Sequence, residues 1–282
     1  MKVRNYLKLF SPEYIPMAIT TALIGAVATS NILPDYRFLI ITIAICCVIG
    51  AFNSYNAIAD KEIDKVNRLD RPLPMGHISE KRALDLAIIL YLIALILSAT
   101  IGIEALAIMA ISVLVTIAYS FPKLHLKKTF LIGTLSVTFF YATLCFALGW
   151  ALYPQLTFPF ELAAFLFILG AGLSITKDFM DFAGDSFHGA KTLPVKIGYN
   201  KSIAIILVIL TLAFGLLFEM IRSGIIDSKF FVLLVFYPLM VSNVFLFKKY
   251  SKNFDSKSLF TQIMILIIAL ELGYVFLVFF TF

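Results

Sequence analysis

Nine stretches of nearly continuous apolar sequence dictate what this chain can become, because each approaches the ~20 residues that an α-helix needs to cross a bilayer. They fall near residues 14–33, 38–59, 84–101, 103–120, 129–151, 159–177, 201–222, 229–247 and 258–281. Hydrophobic residues make up 61% of the 282 and charged residues only 14%, where a water-soluble domain carries about 25% charged. The expected fold class is therefore all-α: a polytopic membrane protein, one domain over residues 1–282, built as a bundle of nine transmembrane helices with cap loops on one side. The first run follows Lys2, Arg4 and Lys8, as a signal peptide would. It is long, however, and no small-residue cleavage site leads into a soluble domain, so it is read as a retained helix.

Charge placement sets the orientation. With nine spans, twenty of the 23 Lys and Arg residues fall on the side of the N-terminus, leaving Arg37, Arg222 and Lys229 opposite. Lys and Arg are retained on the cytoplasmic side, which predicts a cell-membrane protein with its N-terminus and its long loops in the cytoplasm. The net charge of +6 follows from this bias and from attraction to anionic headgroups. Nothing interleaves basic and aromatic residues in a nucleic-acid pattern, so the bilayer and not nucleic acid is the expected partner. Cys46, Cys47 and Cys145 all lie inside apolar runs and read as buried thiols.

Two polar clusters interrupt the apolar pattern, both at cytoplasmic helix ends. Asn56, Asp60 and Asp64 are four residues apart, so on a continuing helix they share an arc of roughly 80° and step along it by about 6 Å. Asp178, Asp181 and Asp185 follow the sixth run at spacings of three and four, an arc of roughly 60°. Facing each other, the two sets make an oxygen cage suited to Mg2+. Ionisable groups at membrane depth are costly and usually functional.

Cations surround these carboxylates: Arg68, Arg71, Lys123, Lys177 and Lys191 share their side, the composition of a site for a metal-bridged polyphosphate. Arg71-Pro-Leu-Pro after the first cluster is echoed by Lys191-Thr-Leu-Pro after the second, a weak pseudo-repeat. His77, His125 and His188 are scattered without Cys, which makes no zinc site. Glycines and small hydroxyl residues in the fifth and sixth runs read as packing positions. Glu219 and Glu271, far along the chain, read as near the outer surface or paired.

Asn56-xxx-Asp60-xxx-Asp64, Tyr119-xxx-Lys123 and Asp181-xxx-Asp185-xxx-Gly189 stand in the order of the signatures of the UbiA-type intramembrane prenyltransferases, which this chain resembles over its whole length. Asn56 is followed by Ala57 where the family commonly has Asp. The resemblance implies a prenyl transfer in which Asp60, Asp64, Asp181 and Asp185 are catalytic and, with Asn56 and Asp178, hold Mg2+. It further implies that Tyr119, Lys123, Arg71 and Lys191 bind the diphosphate, and that Lys177 and His188 serve the acceptor.

Within the family, Lys177–Pro194 is most similar to members of ether-lipid synthesis, which implies transfer of geranylgeranyl from geranylgeranyl diphosphate to the hydroxyl of geranylgeranylglyceryl phosphate. The alternative is an aromatic prenyltransferase of the 4-hydroxybenzoate type. A cation-coupled secondary transporter is a more distant one, since transporter sites lie near the midplane and these carboxylates lie at helix ends.

Overall fold

Helices carry nearly all of the chain in the computed structural model, which describes residues 2–67, 71–124, 126–129, 131–180, 182–187, 189, 191–250 and 256–280. In order they are α1 (Lys2–Phe10), α2 (Ile15–Ser30), α3 (Arg37–Ala59), α4 (Lys61–Asn67), α5 (Glu80–Ala99), α6 (Ile103–Ser120), α7 (Ile132–Trp150), α8 (Phe160–Met180), α9 (Phe182–Phe187), α10 (Leu193–Ile197), α11 (Tyr199–Arg222), α12 (Phe236–Tyr250) and α13 (Ser256–Phe279). Among the described residues eight helices are long and apolar enough to cross a membrane: α3, α5, α6, α7, α8, α11, α12 with the 3-10 turns before it, and α13.

The ninth expected span is α2, which has only 16 residues. At 1.5 Å per residue it reaches about 24 Å, short of a ~30 Å hydrocarbon core. The reason lies at its start, where Pro12–Tyr14 forms a separate 3-10 turn before Ile15. An all-α, multi-pass membrane bundle thus stands, with eight full spans and one shortened helix.

Ser79 caps α5, accepting from the Arg82 N–H at 3.4 Å. Gly102 separates α5 from α6 in a tight hairpin. Gly76 turns the loop after α4 with φ 70°, a value that glycine adopts without steric cost.

The core is closed by direct backbone contact between α2 and α7. A Cβ on Gly25 would lie 2.0 Å from the Phe146 carbonyl oxygen, and one on Gly149 would lie 1.9 Å from that of Ala22. Small residues serve membrane helices in this way, because close backbone approach replaces the hydrophobic drive that lipid removes. The basic helix α1 folds over the same end as the loops, its Leu9 buried against Ala57, Leu73 and Ile78, and the Asn53 side-chain amide donates to the Phe10 carbonyl at 3.0 Å.

Candidate active site

α3 delivers the first polar cluster and stops at it. Asp60 takes φ −96°, ψ 4°, yet its N–H still donates to Asn56 O at 2.9 Å and the Asp64 N–H to Asp60 O at 2.8 Å. The helical ladder therefore crosses the break into α4, and Asn56, Asp60 and Asp64 all line one cavity of about 1040 Å³, open mouth included. Asp60 and Asp64 are 3% and 5% exposed.

Lysine supplies the counter-charge. Lys127 Nζ lies 2.6 Å from Asp60 Oδ2, and the Asn56 amide donates to the same oxygen at 2.7 Å. Ser120 Oγ in turn donates to Asn56 Oδ1 at 3.0 Å. Asn56, expected as a metal ligand, lines the cavity, accepts from Ser120 and donates to Asp60. Arg71 Nη1 stands 3.8 Å from Asp64 Oδ2, both side chains largely buried. The loop brings the guanidinium there by burying Leu73 at 2% exposure.

The second cluster comes from α8 and α9. Short α9 packs on α4, and this contact brings the two acidic stretches together. Asp178 and Asp185 line a smaller pocket of about 430 Å³, with Thr129, Thr134 and Thr192. Thr134 Oγ1 donates to Asp178 Oδ2 at 3.4 Å. Tyr119, Lys127 and Lys177 belong to the walls of both spaces, so two ammonium groups stand between the two carboxylate sets.

Several expected residues lie elsewhere. Lys123 is exposed beyond the end of α6 and off both pocket walls, and Lys127, four residues on, takes the place beside the carboxylates. Lys191 is likewise exposed and off both walls, although Leu193 beside it is buried like its counterpart Leu73. Arg68, His125, Asp181 and His188 lie outside the described residues.

Among the described residues no three His, Cys, Asp or Glu side chains converge to hold a metal by themselves. The donors present still suit a hard cation. Oδ1 of Asp60 is buried and has no hydrogen-bond partner among the described residues, which is costly unless a ligand satisfies it. Among the described residues at the charged mouth, Asn56, Asp60 and Asp64 supply oxygen donors, the preference of Mg2+.

Below the carboxylates the wall turns aromatic. Tyr119 meets Phe52 edge-on at 5.3 Å, and Tyr14 meets Tyr141 at 6.2 Å and Phe260 at 6.0 Å. A π-helical segment at Phe139–Leu144 interrupts α7, a distortion often found at functional sites, and it includes Tyr141. The arrangement is a charged mouth able to grip an anion, above a tunnel fit for a hydrocarbon.

Residues 18–270 match the UbiA prenyltransferase family. The chain belongs to that family. A digeranylgeranylglyceryl phosphate synthase of Methanosphaera stadtmanae is 32% identical over 210 residues, 73% of this chain and 74% of that one. The enzyme of the same name from Saccharolobus solfataricus is 31% identical over 254 residues, 86% and 87% of the two chains. A solved structure of digeranylgeranylglyceryl phosphate synthase covers 98% of each chain at TM-score 0.71 and 26% identity. A UbiA homologue from Archaeoglobus fulgidus, bound to GPP and Mg2+, covers 97% of this chain and 99% of its own at TM-score 0.77; at 18% identity it speaks to the fold alone.

As a UbiA-family prenyltransferase the protein is an enzyme, and the transporter reading is set aside. Sequence reasoning missed Lys127 as a partner of Asp60, the aromatic wall of Tyr14, Phe52 and Tyr141, and the depth of Glu271. Glu271 is 2% exposed, paired by hydrogen bonds with Thr20 and Thr21, and lines the large cavity. The available signal was a carboxylate in the middle of an apolar span.

Proposed function

We propose that the protein transfers a geranylgeranyl group from geranylgeranyl diphosphate to the free hydroxyl of geranylgeranylglyceryl phosphate, with Mg2+, on the cytoplasmic side of the cell membrane. The observation that carries the reading is the buried Asp60–Lys127 pair at the mouth of an aromatic-walled cavity of about 1040 Å³. The names of relatives aligned over most of the chain support the choice of substrates, and the charge asymmetry of the loops supports the side.

Lys127, Arg71 and Lys177 grip the diphosphate, using charge-assisted hydrogen bonds that shorten and strengthen as negative charge collects on the leaving oxygens. Asp60 and Asp64 on one side, and Asp178 and Asp185 on the other, would hold Mg2+, with Asp181 of the second motif as a further candidate ligand. When bound, the metal neutralises diphosphate charge as the bond from the allylic carbon to oxygen breaks.

Tyr119, Phe52 and Tyr141 turn ring faces and edges toward the prenyl chain below, where π density steadies a developing allylic cation. The apolar tunnel keeps water from capturing that cation. The acceptor phosphate sits at Lys177 and Lys127 in the smaller pocket, where Thr192 Oγ1 is buried without a hydrogen-bond partner among the described residues. The acceptor oxygen bonds to the allylic carbon, diphosphate departs, and the hydroxyl proton passes to an oxygen of the departing diphosphate.

Product analysis with purified protein, Mg2+, geranylgeranyl diphosphate and a panel of acceptors tests this. A second ether on the glyceryl phosphate is the expected product. Prenylation of 4-hydroxybenzoate with the glyceryl phosphate untouched would replace it with the aromatic alternative.

A further inference from the structure

The large cavity ends at a carboxyl group that the reaction does not use. Glu271 on α13 accepts a hydrogen bond from Thr21 Oγ1 at 2.7 Å and a second from Thr20 Oγ1, both on α2. The two hydroxyls also stand within hydrogen-bond distance of one carbonyl, that of Met17. The cluster is thus a closed polar knot tying α13 to α2. Among the described residues no Lys or Arg forms an ion pair with Glu271, so counter-charge does not account for a carboxyl at this depth, and such groups are retained for function.

Its depth can be read along the helices. Asp60 to Asn53 is seven residues of α3, and Asn53 is bonded to Phe10 just ahead of α2. From Tyr14 to Thr21 is seven more, so at 1.5 Å per residue the knot lies on the order of 20 Å below Asp60. A second route, from Phe260 packed on Tyr14 along the eleven residues to Glu271, adds about 16 Å and places the knot about 6 Å deeper. Four isoprene units, extended, have a length of the same order.

Beyond the knot a separate cavity of about 780 Å³ begins, lined by Ala28 of α2, Leu162 of α8, and Tyr274 and Val278 of α13. The same three helices wall both spaces, and the Glu271–Thr20–Thr21 layer lies between them in sequence along α2 and α13. We propose that Glu271, held by Thr20 and Thr21, is the floor of the prenyl tunnel and limits the donor to about four isoprene units. This rests on the prenyl-diphosphate reading of the cavity, but not on the acceptor.

A tail of four units fills the apolar tunnel to the knot. A fifth unit has to break the two hydrogen bonds of Glu271 before it reaches the outer cavity, and an apolar unit inserted at the knot offers no replacement partner.

Binding of non-hydrolysable prenyl thiolodiphosphates of three to six isoprene units, with Mg2+ in nanodiscs, tests the floor without any acceptor. For the wild type, affinity rises from three units to four and falls at five. Glu271→Ala and Thr21→Ala raise the five-unit over four-unit affinity ratio about tenfold, the order expected from admitting part of one more apolar unit. Glu271→Gln, which keeps the polar knot, retains the wild-type ratio. Wild-type affinity that climbs steadily through six units overturns the proposal even if no variant folds, and so does an unchanged ratio in Glu271→Ala. A normal ladder of affinities combined with no prenylation of the glyceryl phosphate instead overturns the acceptor assignment alone.

Discussion

Lys127 Nζ stands 2.6 Å from Asp60 Oδ2, with the lysine side chain 11% and the aspartate side chain 4% exposed. A pair so buried has lost most of its hydration, and removing one partner leaves the other charge stranded. Here the stranded group would be a carboxylate proposed to hold Mg2+, and under the proposed function the lysine would neutralise Asp60 before substrate arrives and offer its charge to the diphosphate afterwards.

Lys127→Met is therefore expected to lower kcat/KM about 10- to 100-fold, the scale of one charge-assisted hydrogen bond of ~1.5–3 kcal/mol. Lys123→Met, altering an exposed side chain off the cavity wall, should change it by less than about threefold, in keeping with a solvated charge. Steady-state kinetics on the two variants side by side decide the matter. Equal losses would return Lys123 to the site.

The carboxylate clusters and the spans were legible because the bilayer enforces them: apolar sequence must fill the hydrocarbon, so Asp60, Asp64, Asp178 and Asp185 stand out against it. Lys127 was not legible. It is one of three lysines between α6 and α7, and which of them turns inward depends on how the short turn at Leu126–Lys128 folds back over α3. Glu271 could be read as paired, as it is with Thr20 and Thr21, but not placed on the cavity wall, since position along a span does not say which neighbour the residue faces. The shortness of α2 follows from the break at Pro12–Tyr14, and the π-helical segment of α7 has no marker such as Pro in Phe139–Leu144.

The crossing of α2 and α7 gives a stability prediction. Gly25→Ala places a Cβ 2.0 Å from the backbone oxygen of Phe146, and backbone cannot swing aside as a side chain can, so the helices must separate. Overpacking of this kind costs ~1–3 kcal/mol, to be read as a lowered Tm in detergent micelles. Gly215→Ala, where an added Cβ meets nothing within 4 Å, should leave Tm near that of the parent. Equal Tm for both variants would mean that α2 and α7 are not in close backbone contact.

Topology is testable with introduced cysteines, because Cys46, Cys47 and Cys145 lie within the membrane-spanning helices α3 and α7. Met75 is exposed in the loop that follows α4, and Gln155 in the turn between α7 and α8. If Lys and Arg mark the cytoplasmic side, a membrane-impermeant maleimide added outside intact cells should label Gln155→Cys and spare Met75→Cys until the cells are opened. Labelling of both from one side would contradict the arrangement.

The metal requirement bears most directly on the proposed chemistry. Asp60→Asn keeps the shape of the side chain and removes the charge beside Lys127, and it makes the buried Oδ1 position a neutral, weaker donor for Mg2+. Asp185→Asn does the same to a side chain that is 1% exposed on the opposite carboxylate set. Each is expected to reduce turnover to near background while far-UV circular dichroism stays that of a helical bundle, because the helices are held by apolar contacts and glycine crossings remote from the carboxylates. EDTA should abolish wild-type turnover, and added Mg2+ should restore it. In Lys127→Met, Mg2+ should raise Tm more than in the parent, since the cation then replaces the positive charge beside Asp60 that the variant lacks. Full activity in EDTA, or in Asp60→Asn, would leave the carboxylates without the role proposed for them.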